Sequence, residues 1–163
     1  MSELEEMLER FRRGPEVVAA ALTGAAGAEV DFRPSPEQWS VRQIVAHLSD
    51  SEMGAALRFR SIIAENEPTI QQTDQNAWAE KLDYSKRKYS NSLETFRRIR
   101  AENYELLKDT PEESYSRAGI HSVRGRMTLL DWLRIYAGHA EKHALQIRRV
   151  RDAFKAAKAG ASA

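Results

Sequence analysis

The chain has 163 residues, is 42% hydrophobic and 30% charged, and sets Lys+Arg 25 against Asp+Glu 24 for a formal net charge of +1. That length allows one domain with a real core, and the composition excludes a disordered chain. The balanced charge, with only short basic clusters (Arg97-Arg98, Arg148-Arg149, Lys86-Arg87-Lys88), argues against nucleic acid as a partner; the absence of cysteine removes disulfides, thiolate nucleophiles and cysteine zinc sites.

The acidic, amphipathic start (Met-Ser-Glu-Leu-Glu-Glu) lacks the basic flank and apolar core of a secretory signal. No apolar run approaches the ~18 residues of a membrane span, so a cytoplasmic location without membrane contact is expected. From Ser2, apolar residues recur at helical spacing through Leu4, Met7, Leu8, Phe11, Val18, Ala21 and Leu22. Ser2 and Glu5 form a capping box, Pro15 is expected to kink or break this first helix, and Gly24 to Gly27 ends it. After a Pro-punctuated connection, Ser40-Val-Arg-Gln43 is a second capping box. It opens a helix expected to run to about Asn66, with a stripe of Ile44, Leu48, Ala55, Phe59, Ile62 and Ile63. His47 falls inside that stripe and points inward.

Residues 67 to 87 read as a long connection holding a short helix from Asp74 to Lys81, with Trp78 packing down. A third long helix covers Lys88 to Lys108, with Leu93, Phe96, Ile99, Asn103, Leu106 and Leu107 on one side. Residues 111 to 127 lack helical periodicity and read as an irregular loop containing His121. Thr128-Leu-Leu-Asp131 caps a fourth helix to about Phe154, and residues 155 to 163 read as a frayed Ala-rich tail. No strand-type alternation is evident. The expected architecture is all-α: one four-helix-bundle domain over residues 1–154, with long connections that leave room for a crossover.

The chemistry is carried by His139-Ala-Glu-Lys-His143. Histidines four residues apart on a helix project from one face, the spacing with which a helix offers two imidazoles to one metal ion. On a helical wheel His139 and His143 share an arc with Trp132, Ile135, Tyr136, Gln146 and Val150. Burying them together with His47 requires a partner for every ring nitrogen, and a divalent metal satisfies three at once. Ala140 and Lys142 stand where a metalloprotease motif has its glutamate, and Glu141 projects about 200° away from His139, so that motif is excluded. Asp50, about 60° from His47 on the wheel, is the candidate base or the partner that orients an imidazole; Glu52, about 140° away, faces solvent or another helix. Gln43 and Gln146 flank the histidines as hydrogen-bond candidates. Three protein ligands leave positions open, as in catalytic metal sites, where the ion acidifies water or a thiol. Nitrogen ligation suits zinc, nickel, copper or iron. Inward residues near the histidines, Trp132, Tyr136, Phe59 and Trp78, are candidates for a pocket lining, although aromatic stripes at helical spacing usually form core.

The stretches Trp39 to Glu52, Asp74-Gln-Asn-Ala-Trp78-Ala and Gly138 to Ile147 resemble, in this order, motifs of the DinB/YfiT-like superfamily. The resemblance spans roughly Phe32 to Val150. It implies a four-helix bundle of up-down-down-up connectivity, a homodimer, and a divalent metal, with zinc or nickel expected, on His47, His139 and His143. It also implies a small-molecule substrate, with a low-molecular-weight thiol such as bacillithiol or mycothiol in some members. Two functions are thus expected: a metal-dependent thiol S-transferase or hydrolase assisted by Asp50, or a non-catalytic dimeric stress-response or binding module whose metal is structural or absent. His121 sits in a loop that also looks family-like and is a candidate substrate contact or further ligand, against the simpler role of a structural hydrogen bond.

Overall fold

A computed structural model describes residues 1–162. Helix α1 (Glu3–Leu22) opens on the expected box: Glu5 N–H donates to Ser2 Oγ at 3.2 Å and Ser2 N–H to Glu5 Oε2 at 2.7 Å. A short α2 (Ala28–Asp31) precedes α3 (Val41–Ala64), which starts at the reciprocal Ser40/Gln43 box. Helix α4 (Gln75–Lys81) is capped by Asp74, and α5 spans Tyr89–Lys108. Helix α6 (Leu129–Ala161) starts at the Thr128/Asp131 box. The starts of α1, α3, α4 and α6 are specified locally, because a side chain three residues away satisfies a backbone donor that the helix leaves free, whereas α2 and α5 begin without a side-chain cap.

Side-chain pairs fix the directions of the four long helices. From α1 to α6, Arg10 meets Glu141, Arg134 meets Glu3 and Arg151 meets Ala21 O, so residue numbers rise together and these helices are parallel. Between α3 and α5, Arg100 Nη2 donates to Glu52 and Arg60 Nη1 to Asn103, again in rising order, and just ahead of α5 Arg87 O accepts from Arg42 Nη1. Between α3 and α6, His47 meets His139 while Arg58 meets Tyr136, an antiparallel pair. The connectivity is up-down-down-up. The core has two main apolar sections, one around Phe11, Phe59, Leu107, Leu133 and Tyr136, the other around Val18, Ile44, Leu48, Phe96 and Ile147. The histidines sit where one section gives way to the other along α3 and α6.

Four local expectations are corrected. Pro15 lies inside an unbroken α1. Proline lacks the N–H that would bond four residues back, to Phe11 O, and Arg100 Nη1 donates to that oxygen instead, at 3.0 Å. The loop after α5 contains a 3-10 turn at Glu112–Ser116 and then strands β2 (Ala118–His121) and β3 (Gly125–Thr128), which pair antiparallel; β1 (Thr69–Ile70) pairs parallel with β2. Strands of two to four residues are too short to print an alternation. Gly125, at φ +72°, begins β3 in the left-handed region. The tail expected to fray is helical to Ala161, since alanine and lysine favour helix even without tertiary contacts. Trp78 is 36% exposed rather than packed down. Among the described residues, no helix is long and apolar enough to cross a membrane.

Candidate metal centre

The fold brings His47 of α3 to His139 and His143 of α6. His47 Nε2 lies 3.1 Å from His139 Nε2, which lies 3.1 Å from His143 Nε2. One ring nitrogen from each histidine falls within 4.8 Å of the others. His47 and His143 are buried and His139 is half-buried. Burial pushes His47 down to about 3, with His143 and Lys142 adding repulsion; burial, helped by His143, His47, Arg100 and Lys142, pushes His139 down to about 2. His143 is lowered as well, chiefly by burial, against a raising contribution from Gln146. All three rings are therefore neutral near pH 7.

Neutrality makes the arrangement incomplete as a hydrogen-bond cluster. A neutral imidazole nitrogen is a donor or an acceptor along its one in-plane direction, not both. His139 Nε2 has two neighbouring nitrogens at 3.1 Å, so it can donate to one of them or accept from one, and the other contact stays unmet. His143 Nδ1 donates to Gln146 Oε1 at 2.7 Å, which leaves the Nε2 lone pair of that ring facing the cluster. A cation accepting three nitrogen lone pairs meets all of these demands together, and the donor set fits one. Gln146 thus takes the supporting place expected of it. Gln43 does not: its amide oxygen accepts from Ser40 N–H in the α3 cap, a local partner that outcompetes the distant site.

The cluster opens on a cavity of about 680 Å³ lined by α3, α6, the segment from Gln71 to Trp78 and the turn after β2. His47 and His139 lie on its wall, as do Trp78, Trp132 and Tyr136, whereas Phe59 packs behind Tyr136 in the core with ring centres 5.5 Å apart. Asp50 is buried at the same wall. Its Oδ1 accepts from Arg87 Nη2 at 3.0 Å, and it makes no hydrogen bond to any of the imidazoles among the described residues. The expected orienting contact from Asp50 is therefore replaced by an ion pair. Tyr84, also lining the cavity, has its phenol raised by burial and by the Asp50 carboxylate. Glu52 turns to another helix: it is 1% exposed, pairs with Arg100 Nη2 at 2.8 Å and accepts from Asn103 Nδ2 at 3.0 Å.

His121 is separate from the three-histidine group, and its Nδ1 already accepts from the backbone N–H groups of Val123 (3.2 Å) and Arg124 (3.0 Å). Its structural role in the turn is plain, and its ring also lines the cavity.

The family model described as the DinB superfamily matches residues 10–147. The chain belongs to the DinB superfamily. A protein of Oceanobacillus iheyensis named as a candidate metal-dependent hydrolase is 32% identical over 88% of this chain and 83% of its own length. YfiT of Bacillus subtilis, similarly named, is 28% identical over 88% of this chain and 78% of its length. The solved structure of YfiT, described as a probable metal-dependent hydrolase with an unusual four-helix bundle topology, superposes with a TM-score of 0.86 at 24% identity, covering 95% of this chain and 90% of that one. A mycothiol-dependent maleylpyruvate isomerase shares the fold at a TM-score of 0.72 and 16% identity; the match covers 90% of this chain and 61% of the isomerase.

Around the cavity this DinB-superfamily chain also places residues that sequence reasoning missed: Arg58 and Tyr84 line it, and Arg87 pairs with Asp50 on its wall. Arg58 lies eleven positions after His47, about three helical turns, which returns it to the same face; the spacing was a usable signal. Arg87 and Tyr84 come from the α4–α5 connection, and no local pattern ties them to Asp50.

Proposed function

We propose that the chain is a metal-dependent enzyme in which His47, His139 and His143 hold a divalent cation, zinc or nickel, for the activation of a thiol or a water molecule against a small-molecule substrate. The observation that carries this reading is the trio of neutral imidazoles in which His139 Nε2 lies 3.1 Å from both other Nε2 atoms and cannot satisfy both. The bound cation would supply Lewis acidity, which makes a thiol or water nucleophilic near neutral pH. Gln146 holds the His143 ring in the tautomer that presents Nε2. Trp39, with its ring centre 5.1 Å from that of His47, helps close the buried side of the cluster against water. Asp50 is assigned the proton: Oδ1 stays in the ion pair with Arg87, and Oδ2 is the oxygen left to accept from the nucleophile.

Between the two nucleophiles, we favour a low-molecular-weight thiol. A cavity of about 680 Å³ exceeds what water alone needs and lies in the range of small-molecule sites, the chain has no cysteine to supply sulfur itself, and a protein of the same fold is a mycothiol-dependent isomerase. A cytoplasmic homodimer belongs to the same reading. The test is metal content of protein purified without a histidine tag, for wild type and His143→Ala, followed by a screen of thiols against electrophiles and of hydrolysable esters. Stoichiometric zinc or nickel in the wild type, lost in a variant that keeps its helical circular dichroism, is the expected result. A wild type that takes up no divalent metal overturns the proposal.

A further inference from the structure

The cavity beside the histidines has a cationic wall that the proposed chemistry leaves unused. Arg58 lies half-buried on it, with Nη1 donating to the Tyr136 hydroxyl at 2.7 Å and Nη2 to the Gln71 carbonyl at 3.1 Å. Its guanidinium carbon sits 4.5 Å from the centre of the Trp132 ring. These contacts fix the side chain without neutralising it: among the described residues, Arg58 forms no ion pair. Guanidinium carries five N–H donors, and two are engaged here, so the remainder is available. An arginine pre-set in this way is suited to a planar oxyanion.

Two further donors share the wall. His121 Nδ1 accepts from two backbone N–H groups, so in the neutral ring the proton resides on Nε2. Arg124, exposed in the same turn, also lines the cavity and forms no ion pair among the described residues. Burial chiefly, and then the charges of Arg58 and Arg124, disfavour protonation of His121. Neither carboxylate on this cavity pairs with these cations: Asp50 Oδ1 accepts from Arg87 Nη2 at 3.0 Å, and Asp74 Oδ1 from Ala77 N–H at 3.0 Å in the α4 cap. The wall stands close to the histidines, since the Tyr136 ring that holds Arg58 lies 6.0 Å from the His139 ring.

We infer that this wall is a subsite for a carboxylate carried by the small-molecule ligand, with Arg58 as the fixed charge and His121 Nε2 and Arg124 as flanking donors. The ligand then spans one side-chain breadth, its carboxylate on Arg58 and its reacting end at the histidines. This deepens the proposed function and rests on it only for the position of that reacting end.

The experiment is calorimetric titration of zinc-free and zinc-loaded protein with 3-mercaptopropionate, its methyl ester, succinate and inorganic phosphate. On zinc-loaded protein the acid should bind at least about tenfold more tightly than the ester, the size expected for hydrogen bonds to a charged group. Arg58→Gln should abolish that ratio by weakening acid binding far more than ester binding, and Arg124→Gln, at an exposed position, should reduce it a few-fold. Equal affinity for acid and ester in the wild type overturns the subsite even if Arg58→Gln fails to fold. Phosphate binding more tightly than succinate overturns the assignment to a carboxylate. Succinate binding to zinc-free protein reports the subsite alone, and zinc uptake by the wild type reports the histidine centre alone, so failure of one is distinguishable from failure of the other.

Discussion

Two groups of buried polar side chains lie within two turns of each other on α3, and they are finished differently. Glu52, Arg100 and Asn103 form a nearly closed set, in which Arg100 Nε alone lacks a partner: Arg100 Nη2 donates to Glu52 at 2.8 Å, Asn103 Nδ2 to Glu52 at 3.0 Å, and Arg100 Nη1 to Phe11 O at 3.0 Å. Phe11 also lends its ring face, 4.0 Å from the guanidinium carbon. His47, His139 and His143 form an open set whose nitrogens meet without a proton arrangement that satisfies every contact. Closed buried networks rigidify a core, whereas open ones call for a further group. The contrast marks the histidines, rather than the Glu52 group, as the candidate site of the bundle.

The comparison can be broken by substitution, and the largest effect belongs to the closed set. Arg100→Met leaves Glu52 charged, buried and without its cation, and should cost about 3–5 kcal/mol of unfolding free energy in a urea titration. Adding Glu52→Leu to it should recover much of that loss, because both charges are then gone. Protonation addresses the open set. In the metal-free protein His47 and His139 have folded pKa values far below the ordinary 6.5, so below about pH 6.5 the unfolded chain binds more protons. Stability should be fully present above that pH and fall as pH drops towards the folded values, by about 2 kcal/mol per imidazole at pH 5. Denaturant midpoints at pH 7.5 and 5.0, measured in chelator, check this; a double variant His47→Leu/His139→Leu should be much less pH-sensitive.

A smaller effect is expected where α1 makes room for the closed set. A Cβ built on Gly14 would lie 2.5 Å from Arg100 Nη1 and 3.0 Å from Ala140 Cβ, and neither neighbour can retreat in a filled core. Gly14→Ala should therefore destabilise by about 1–3 kcal/mol despite alanine's better helix propensity, read from thermal or urea unfolding. The smallest effect sharpens the contrast most. In metal-free protein at pH 8, His139→Leu should change stability by no more than about 1 kcal/mol, since it removes an unsatisfied group rather than half of a satisfied pair. A loss as large as that of Arg100→Met would mean that the histidines are a structural network after all.

Read by itself, the sequence determined what depends on neighbours within a turn or two. The caps at Ser2, Ser40, Asp74 and Thr128 were legible because donor and acceptor lie three residues apart. The shared face of His139 and His143 follows from helix geometry, and the inward direction of His47 from the stripe around it. Contacts between distant segments decided the rest. Arg100 reads as a surface charge until Glu52, 48 positions away, and the carbonyl that Pro15 frees at Phe11 are brought against it. Asp50 reads as a free carboxylate until Arg87 arrives from the α4–α5 connection. The small sheet exists only because Thr69–Ile70 and Ala118–His121 are delivered to one edge of the bundle. Periodicity records which face of a helix turns inward. Which polar groups meet there, and whether they complete one another, is a matter of pairing across the fold.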